Sequence, residues 1–510
     1  MTTEGLLAID VGLTNVKAVV FGTSGDLIAR AAIPYPTQRP TPDAVEQDPA
    51  AWWSAVTGAV CQLPAEVRER VVAMGVTAHM HALTALGRAG DPIGPALILG
   101  DRRAVRDAAE ITGRVGADEI AAITGTDLDP SMPAAKALYL RRRDPDAWRS
   151  VTHLLACKDY LRYRLTGEIA TEPIDACATS LYDIRSGRWS DSLLEATGVT
   201  RAMLPPVMSP WTVAGSLVRS AAQSLGLKAG TPVVVGAGDD VVVLGFGILD
   251  PGVALEHIGT TGSMMAVTEQ PITDPEHGLE LYPHVLPDRW VIGGSHTTAG
   301  AALAWASDLL GYGSVDAALA TLATAPEPGL SFLPSLAGER FPARIPAARG
   351  AWVGLGLNVT RELLMRAAFE GVAVALGQVL ERIEALVGRQ DAVRVATAED
   401  PRWLALRAAT YDRRLEVSHT SEPTALGLAS LIAVAAGAFP DVRTAVTVMA
   451  HIDRDVQPEP TRGPERFTTE RLLRHAWDKA AAARMDVGSG SQIDTSRPAV
   501  QRLADPVARS

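Results

Sequence analysis

The chain has 510 residues with 47% hydrophobic and 21% charged content, the balance of a globular protein with two or three large cores. Its 47 Lys and Arg against 58 Asp and Glu leave a net charge of −11, which argues against non-specific binding to nucleic acid or to an anionic membrane. The three cysteines, Cys61, Cys157 and Cys177, are scattered without CxxC or Cys/His spacing, so they read as reduced thiols rather than zinc ligands.

The start, MTTEGLLAID, has no basic region ahead of its apolar run and is not a secretory signal. The stretch GLLAIDVGLTNVKAVVFGTSGDLIARAAI predicts a meander of two or three strands joined by short turns. DPAAWWSAVTGAVCQL predicts a helix capped by Asp48 with Pro49 at its first position, the pair Trp52–Trp53 serving packing. VVAMGVTA predicts a short buried strand. From about Asp101 to Thr166 the pattern is mostly helical and stops at Gly167.

LGLKAGTPVVVGAGDD returns to a strand, and GVALEHIGTTGSMMAVT then echoes the strand–turn–strand opening. Such a duplication predicts two similar domains, divided near Leu249 into 1–248 and 249–485. Helices follow at TTAGAALAWASDLLG and, much longer, at TRELLMRAAFEGVAVALGQVLERIEALVG. The closing order is strand AVRVAT, a helix, strand LEVSH and a helix within ALGLASLIAVAAGAF, the longest apolar segment and too short to span a bilayer. The tail, 486–510, is polar and Gly/Ser-containing and reads as disordered. The expected location is cytoplasmic.

Three segments carry chemistry. In IDVGLTNVK an acid ends a strand before a turn with Gly12, Thr14 and Asn15, and Lys17 lies on the next strand. Gly12 lets the backbone approach an anion, Thr14 and Asn15 supply donors, and Asp10 suits a hydrated Mg²⁺. An ordinary hairpin turn is the plain alternative. GTTGS, Gly259 to Ser263, is a second hydroxyl-rich turn, so two turns, one per domain, would grip a polyphosphate from both sides. In VVVGAGDDVVVLGFG, Asp239 ends a strand, where α/β folds present functional groups. It is either a helix cap or a general base for an attacking hydroxyl.

Together these segments resemble the FGGY family of carbohydrate kinases, from about Leu6 to about Ala482. AIDVGLTNVKAVVF is similar to the family's first phosphate motif, GTTGS to its second, and GLKAGTPVVVGAGDD to the segment holding the catalytic aspartate. KDYLRYRLTGEIATEPIDACATSLYDIRSGRWSD, FLPSLAGERFPARIPAARGAWVGL and GLGLNVTRELLMRAAFEGVAVAL resemble its later signatures. The resemblance implies an α/β fold of two actin-like (ribonuclease H-like) domains flanking an active-site cleft. It implies transfer of the γ-phosphoryl group of ATP, with Mg²⁺, to a hydroxyl of a pentulose-like ketose or a polyol.

In that scheme Asp239 is the base and Asp10 sits at the metal. Gly12, Thr14, Asn15 and Lys17 face Gly259, Thr260, Thr261 and Gly262 across the phosphates. TAHMHALTAL lines up with a Gln-Met-His-Gly segment of xylulokinases, which makes Met80 and His81 sugar contacts, with His79 in place of the Gln. LILGDRRA resembles a loop that implies a sugar contact for Asp101, a surface salt bridge to Arg102 or Arg103 being the alternative. Asp240 stands where xylulokinases usually carry Asn; it accepts hydrogen bonds, and a carboxylate substrate fits poorly beside it. The expected partner is a small sugar or polyol, with no nucleic acid and no membrane. The oligomeric state stays open, a homodimer being one option.

One motif departs from the pattern. After AVRVAT the family has a Gly-Gly turn against the adenosine, whereas this chain reads ATAEDPRW, with Glu399 and Asp400 placing charge near the nucleotide. A catalytically weak or inactive sugar- or nucleotide-binding relative, or a kinase with a donor other than ATP, is therefore the competing reading.

Overall fold

A computed structural model of the protein describes residues 4–326, 329–396 and 400–459. The predicted tail at 486–510 lies outside the described residues. Two seven-stranded sheets carry the architecture among the described residues. The first contains β1 (Gly5–Val11), β2 (Asn15–Phe21), β3 (Leu27–Pro34), β4 (Val71–Ala78), β5 (Val213–Ser216), β6 (Pro232–Val234) and the two-residue β7 (Ala237–Gly238). Its order is β5-β6-β4-β1-β2-β3, with β7 paired to β4. β1, β2 and β3 are antiparallel, while β4 runs parallel to β1.

The apolar run of β1 is buried on both faces, as a strand at the centre of a covered sheet requires. β3 lies at the edge and alternates between exposed and half-buried residues. Helix α1 (Pro49–Gln62) begins as its sequence predicts, with the Asp48 carboxylate accepting the Ala50 N–H and Pro49 in the first turn. Trp52 is fully buried, so the packing reading of that residue holds.

The second sheet contains β8 (Val253–Ile258), β9 (Gly262–Thr268), β10 (Glu280–Pro283), β11 (Trp290–His296), β12 (Ala392–Val395), β13 (Arg414–Ser418) and β14 (Ile452–Val456), in the order β10-β11-β9-β8-β12-β13-β14. It repeats the logic of the first, an antiparallel meander joined to parallel strands. Between the sheets in chain order come helices α2 (Pro133–Arg143), α3 (Cys157–Thr166), α4 (Pro173–Ala178) and the single turn α5 (Val242–Gly245). Later come α6 (Gly300–Leu309), α7 (Arg361–Val387), α8 (Pro401–Tyr411) and α9 (Pro423–Ala435). By length and composition α7 passes as a membrane span, but 67% of its apolar window is buried inside the protein, which makes it a core helix.

Helix α9, from the second half of the chain, packs on β1 and β4 of the first sheet and crosses α5. A Cβ on Gly427 would lie 2.2 Å from the Val241 carbonyl oxygen, and one on Gly245 would lie 1.7 Å from that of Pro423. Both distances are far inside van der Waals contact, so only glycine permits this crossing. The contact places the turn at Asp239 directly against the other half of the molecule. A second contact lies at β10, where the Leu281 N–H donates to the Gly125 carbonyl at 3.1 Å.

Candidate active site

A cavity of about 210 Å³ lies between the two halves. Its walls include Leu13, His79, Met80, His81, Leu99, Asp239 and Asp240 from the first half, and Glu280, Tyr282, Ser295 and Arg340 from the second.

Sheet register explains how Asp10 and Asp239 come together. Asp10 of β1 and Ala237 of β7 both pair with Thr77 of β4, so the two carboxylates leave the same end of the sheet from the strands that flank β4. Gly236 makes this possible. It adopts φ +76°, and a Cβ there would sit 2.1 Å from the Val76 carbonyl oxygen. Behind the turn, the fully buried Glu172 carboxylate accepts the N–H groups of Gly238 (3.0 Å), Asp175 (2.9 Å) and Ile174 (2.7 Å). That fixes the backbone immediately before Asp239.

Burial raises the pKa of Asp239 well above the usual carboxylate range, and the nearby charges of Asp240, Asp10 and Asp175 add to it. Burial likewise raises Asp240 to about 7, with Glu280 and Glu172 contributing, and raises Asp10 to about 6 against the opposing pull of Lys17. Asp239 and Asp240, perturbed in this way on the cavity wall, are candidates for a functional role.

Met80 and His81 line the cavity. His81 adopts φ +65°, unusual for a residue with a Cβ. Its Nδ1 lies 3.0 Å from the Ala178 carbonyl. A carbonyl only accepts, so Nδ1 carries the proton, and burial, which lowers the pKa to about 4, leaves Nε2 as an acceptor in the neutral ring. The fully buried Lys136 ammonium donates to the carbonyls of His81 (2.7 Å), Ile98 (2.9 Å) and Leu97 (3.1 Å). One cation thus braces the two wall segments that carry His81 and Leu99.

The structure moves Asp101 out of this set. It is fully buried, accepts the Val45 N–H at 2.9 Å and binds the Arg103 guanidinium at 2.6 Å and 3.0 Å, and it does not line the cavity. The ion-pair alternative describes it better, although the pair is interior rather than on the surface. Leu99 is what the same loop contributes to the cavity.

The first turn is shaped from outside. The Tyr35 hydroxyl donates to the Gly12 carbonyl, and the Gln47 amide donates to the Leu13 carbonyl at 2.9 Å. The Trp52 indole N–H in turn holds Gln47 at 2.8 Å. Thr14 is exposed, with Gly12 and Asn15 half-buried beside it. In the second turn Gly259, Thr260 and Thr261 are exposed and Gly262 is buried. The carbonyls of Gly259 and Thr260 accept N–H groups from Ala299, Gly300 and Ala301 at the start of α6, which fixes the turn from behind.

Lys17 is committed to Glu422 at 2.8 Å and lies 3.9 Å from Asp10. Glu422 also pairs with Arg30 at 2.9 Å, so this acid at the head of α9 clasps two cations of the first sheet. Thr397, Ala398 and Glu399 of the departing motif lie outside the described residues. Asp400 caps α8 and pairs with Arg402 at 2.7 Å, so its charge is matched locally rather than turned on a nucleotide.

Glu280, Tyr282, Ser295 and Arg340 were not singled out in the sequence. Arg340 does sit in the segment FLPSLAGERFPARIPAARG, which resembled a family motif. Glu280 and Tyr282 belong to a four-residue strand with no motif of its own.

Comparison with known proteins decides the family. The model of the N-terminal domain of the FGGY family of carbohydrate kinases matches residues 6–245, and that of the C-terminal domain matches residues 256–436. The chain belongs to the FGGY family of carbohydrate kinases. It is 31% identical over 437 residues to the xylulose kinase of Escherichia coli (strain K12), covering 84% of this chain and 90% of that one. It is 27% identical over 454 residues to the gluconokinase of Bacillus subtilis (strain 168), covering 85% and 88%. Among solved structures, the xyloylose kinase from Brucella ovis superposes with a TM-score of 0.86 at 27% identity, covering 94% of this chain and 100% of that one. This FGGY protein is a carbohydrate kinase with the two-domain, actin-like fold, a phosphotransferase whose acceptor is an alcohol group of a sugar. The competing reading as a non-catalytic relative is not favoured by these matches.

Proposed function

We propose that this kinase transfers the γ-phosphoryl group of ATP to a hydroxyl of a pentulose such as xylulose, with Asp239 as general base. The observation that carries the reading is the cavity in which Asp239, Met80 and His81 meet Glu280, Tyr282 and Arg340 of the other half. The division of the chain falls at residues 248 and 249, so the cavity takes walls from both domains.

Asp239 accepts the proton of the attacking hydroxyl. Its raised affinity for that proton favours transfer as the new bond forms. Asp10, near the end of β1 on the far side of β4, is the metal carboxylate. Among the described residues no group of three or more His, Cys, Asp or Glu is placed to hold a metal. One carboxylate fits Mg²⁺, which is commonly held by one or two protein carboxylates, substrate phosphates and water. Bound ATP and Mg²⁺ supply the phosphoryl group and neutralise its developing charge. The backbone and hydroxyls of Gly12, Thr14, Asn15, Gly259, Thr260 and Thr261 bind the phosphates, with Gly262 allowing the close turn. Lys17 joins them by exchanging Glu422 for a phosphate.

Glu280 and, when ionised, Asp239 and Asp240 outnumber the cation Arg340 on the cavity wall, which disfavours a carboxylate-bearing acceptor, so a neutral ketose is preferred over gluconate. The test is ADP release with Mg²⁺ and ATP against D-xylulose, other ketopentoses, glycerol and gluconate. D-xylulose is expected to give the highest kcat/KM. A higher value for gluconate, or no ADP release with any acceptor, refutes the reading.

A further inference from the structure

Arg344 belongs to the second half of the chain, on a loop that is pinned at its neck. The Glu339 N–H donates to the Ile345 carbonyl at 2.9 Å, and the Ile345 N–H returns to the Glu339 carbonyl at 2.7 Å. The buried Glu339 carboxylate accepts the Ser335 hydroxyl at 2.7 Å and the Arg340 N–H at 2.9 Å. A loop tied in this way can present a long side chain at a fixed place.

From that loop the Arg344 guanidinium reaches two carboxylates. It donates to Glu280, on the cavity wall, at 2.8 Å, and to Oδ2 of Asp129, in the first half, at 3.3 Å. The other oxygen of Asp129 accepts the Ser131 N–H at 2.9 Å and the Ser131 hydroxyl at 2.6 Å. One oxygen of Asp129 thus serves its own turn and the other faces across to the second half. The bond from the Leu281 N–H to the Gly125 carbonyl runs beside this bridge, so the two form one seam along the edge of the cavity.

The seam gathers acids from both halves. Burial raises the Asp127 carboxyl above its usual range, with Arg344 opposing and Glu280 and Asp129 adding to the shift. Without a cation among them, Asp127, Asp129 and Glu280 would repel as the halves approach. Arg102 lies 3.8 Å from Asp129 but belongs to the same half, so Arg344 is the cation that crosses. A planar guanidinium with separate N–H donors serves two carboxylates at once, which a compact ammonium does less well.

We propose that Arg344 is a positioning residue for the acceptor: by bridging Asp129 and Glu280 it holds the two halves closed at the edge of the cavity and fixes Glu280 on its wall. The proposal rests on the cavity being the acceptor site.

The test compares Arg344→Gln, Arg344→Lys, Asp129→Asn and the double variant Arg344→Gln/Asp129→Asn with the wild type. KM for D-xylulose, KM for ATP and the melting temperature are read for each. Arg344 is 30% exposed, so Arg344→Gln is expected to melt within about 3 °C of the wild type. Its D-xylulose KM is expected to rise about 3- to 10-fold, with the ATP KM within about twofold. Asp129→Asn keeps the oxygen that serves Ser131 and removes the one that faces Arg344, and is expected to raise the same KM. The double variant is expected to match Arg344→Gln within about twofold, because the two changes break one shared bond. Arg344→Lys is expected to give an intermediate KM.

A D-xylulose KM within about twofold of wild type in both Arg344→Gln and Asp129→Asn overturns the proposal. So does a double variant whose KM rise is the product of the two single rises, or a lowered melting temperature with both KM values raised alike. If Arg344→Gln does not fold, Asp129→Asn and Arg344→Lys read the same effect, and failure of all three to fold marks a purely structural ion pair and also overturns it. Met80→Ala is run alongside. If it and Arg344→Gln both leave the D-xylulose KM unmoved, the cavity is not the acceptor site and the proposal falls with that reading; if it raises the KM and the Arg344 variants do not, only the role of Arg344 fails.

Discussion

Replacing Asp240 by Asn removes a carboxyl that the fold holds against its own charge. Burial first, then the carboxylates of Glu280 and Glu172, raise its pKa from 3.8 to about 7. Between those values the folded protein retains a proton that the unfolded chain releases, so this group's contribution to stability falls as pH rises through the window. Fully expressed, the separation amounts to about 4 kcal/mol. Asp240 is half-buried on a cavity wall, and water screening there reduces the figure to about 1–2 kcal/mol. Less than half of the loss has developed at about pH 5, and nearly all of it near pH 8. The assay is thermal unfolding of ligand-free wild type and Asp240→Asn at the two pH values. The variant is expected to melt a few degrees higher than wild type near pH 8, with a gap less than half as large at about pH 5. An equal gap at both pH values, or a wild type more stable near pH 8, refutes the reasoning.

Gly427→Ala drives a methyl into the Val241 carbonyl, a backbone atom that cannot turn aside. A destabilisation above about 3 kcal/mol is expected in thermal unfolding, together with lost turnover, because Val241 belongs to the turn that carries Asp239. A melting temperature like that of the wild type contradicts the close crossing of α5 and α9. Lys136→Met strips the donor from the carbonyls of His81, Leu97 and Ile98. The acceptor KM is expected to rise about tenfold with the ATP KM unchanged in steady-state kinetics, and an unmoved acceptor KM contradicts the brace.

The parts of the site legible in the sequence are those built by contiguous residues. Asp10 with its turn, Asp239 with its glycines, and GTTGS each show a strand end and a turn within a few positions, so local chemistry exposes them. Glu280 and Tyr282 reach the cavity through the pairing of β10 with β11, Glu280 opposite Gly293 and Tyr282 opposite Val291, and nothing within ELYP signals that pairing. Lys17 and Glu422 are 405 residues apart, so the clasp on Lys17 is invisible until the chain is folded.

Asp101 shows the limit from the other side. A carboxylate in a loop serves a ligand or an arginine equally well, and only the fold shows Arg103 closing on it. The strand–turn–strand echo at β8 and β9 signals the repeated architecture, while the edge strands β10 and β14 and the interior strand β11 carry too weak a pattern to be separated from loops.

The proposed role of Asp239 is to take the proton of the attacking hydroxyl. The direct measurement is turnover by Asp239→Asn under saturating D-xylulose, Mg²⁺ and ATP, with calorimetric D-xylulose binding measured in parallel. A fall in kcat of at least about 100-fold is expected, with D-xylulose affinity within a few-fold of wild type. Turnover within about tenfold of wild type would contradict it.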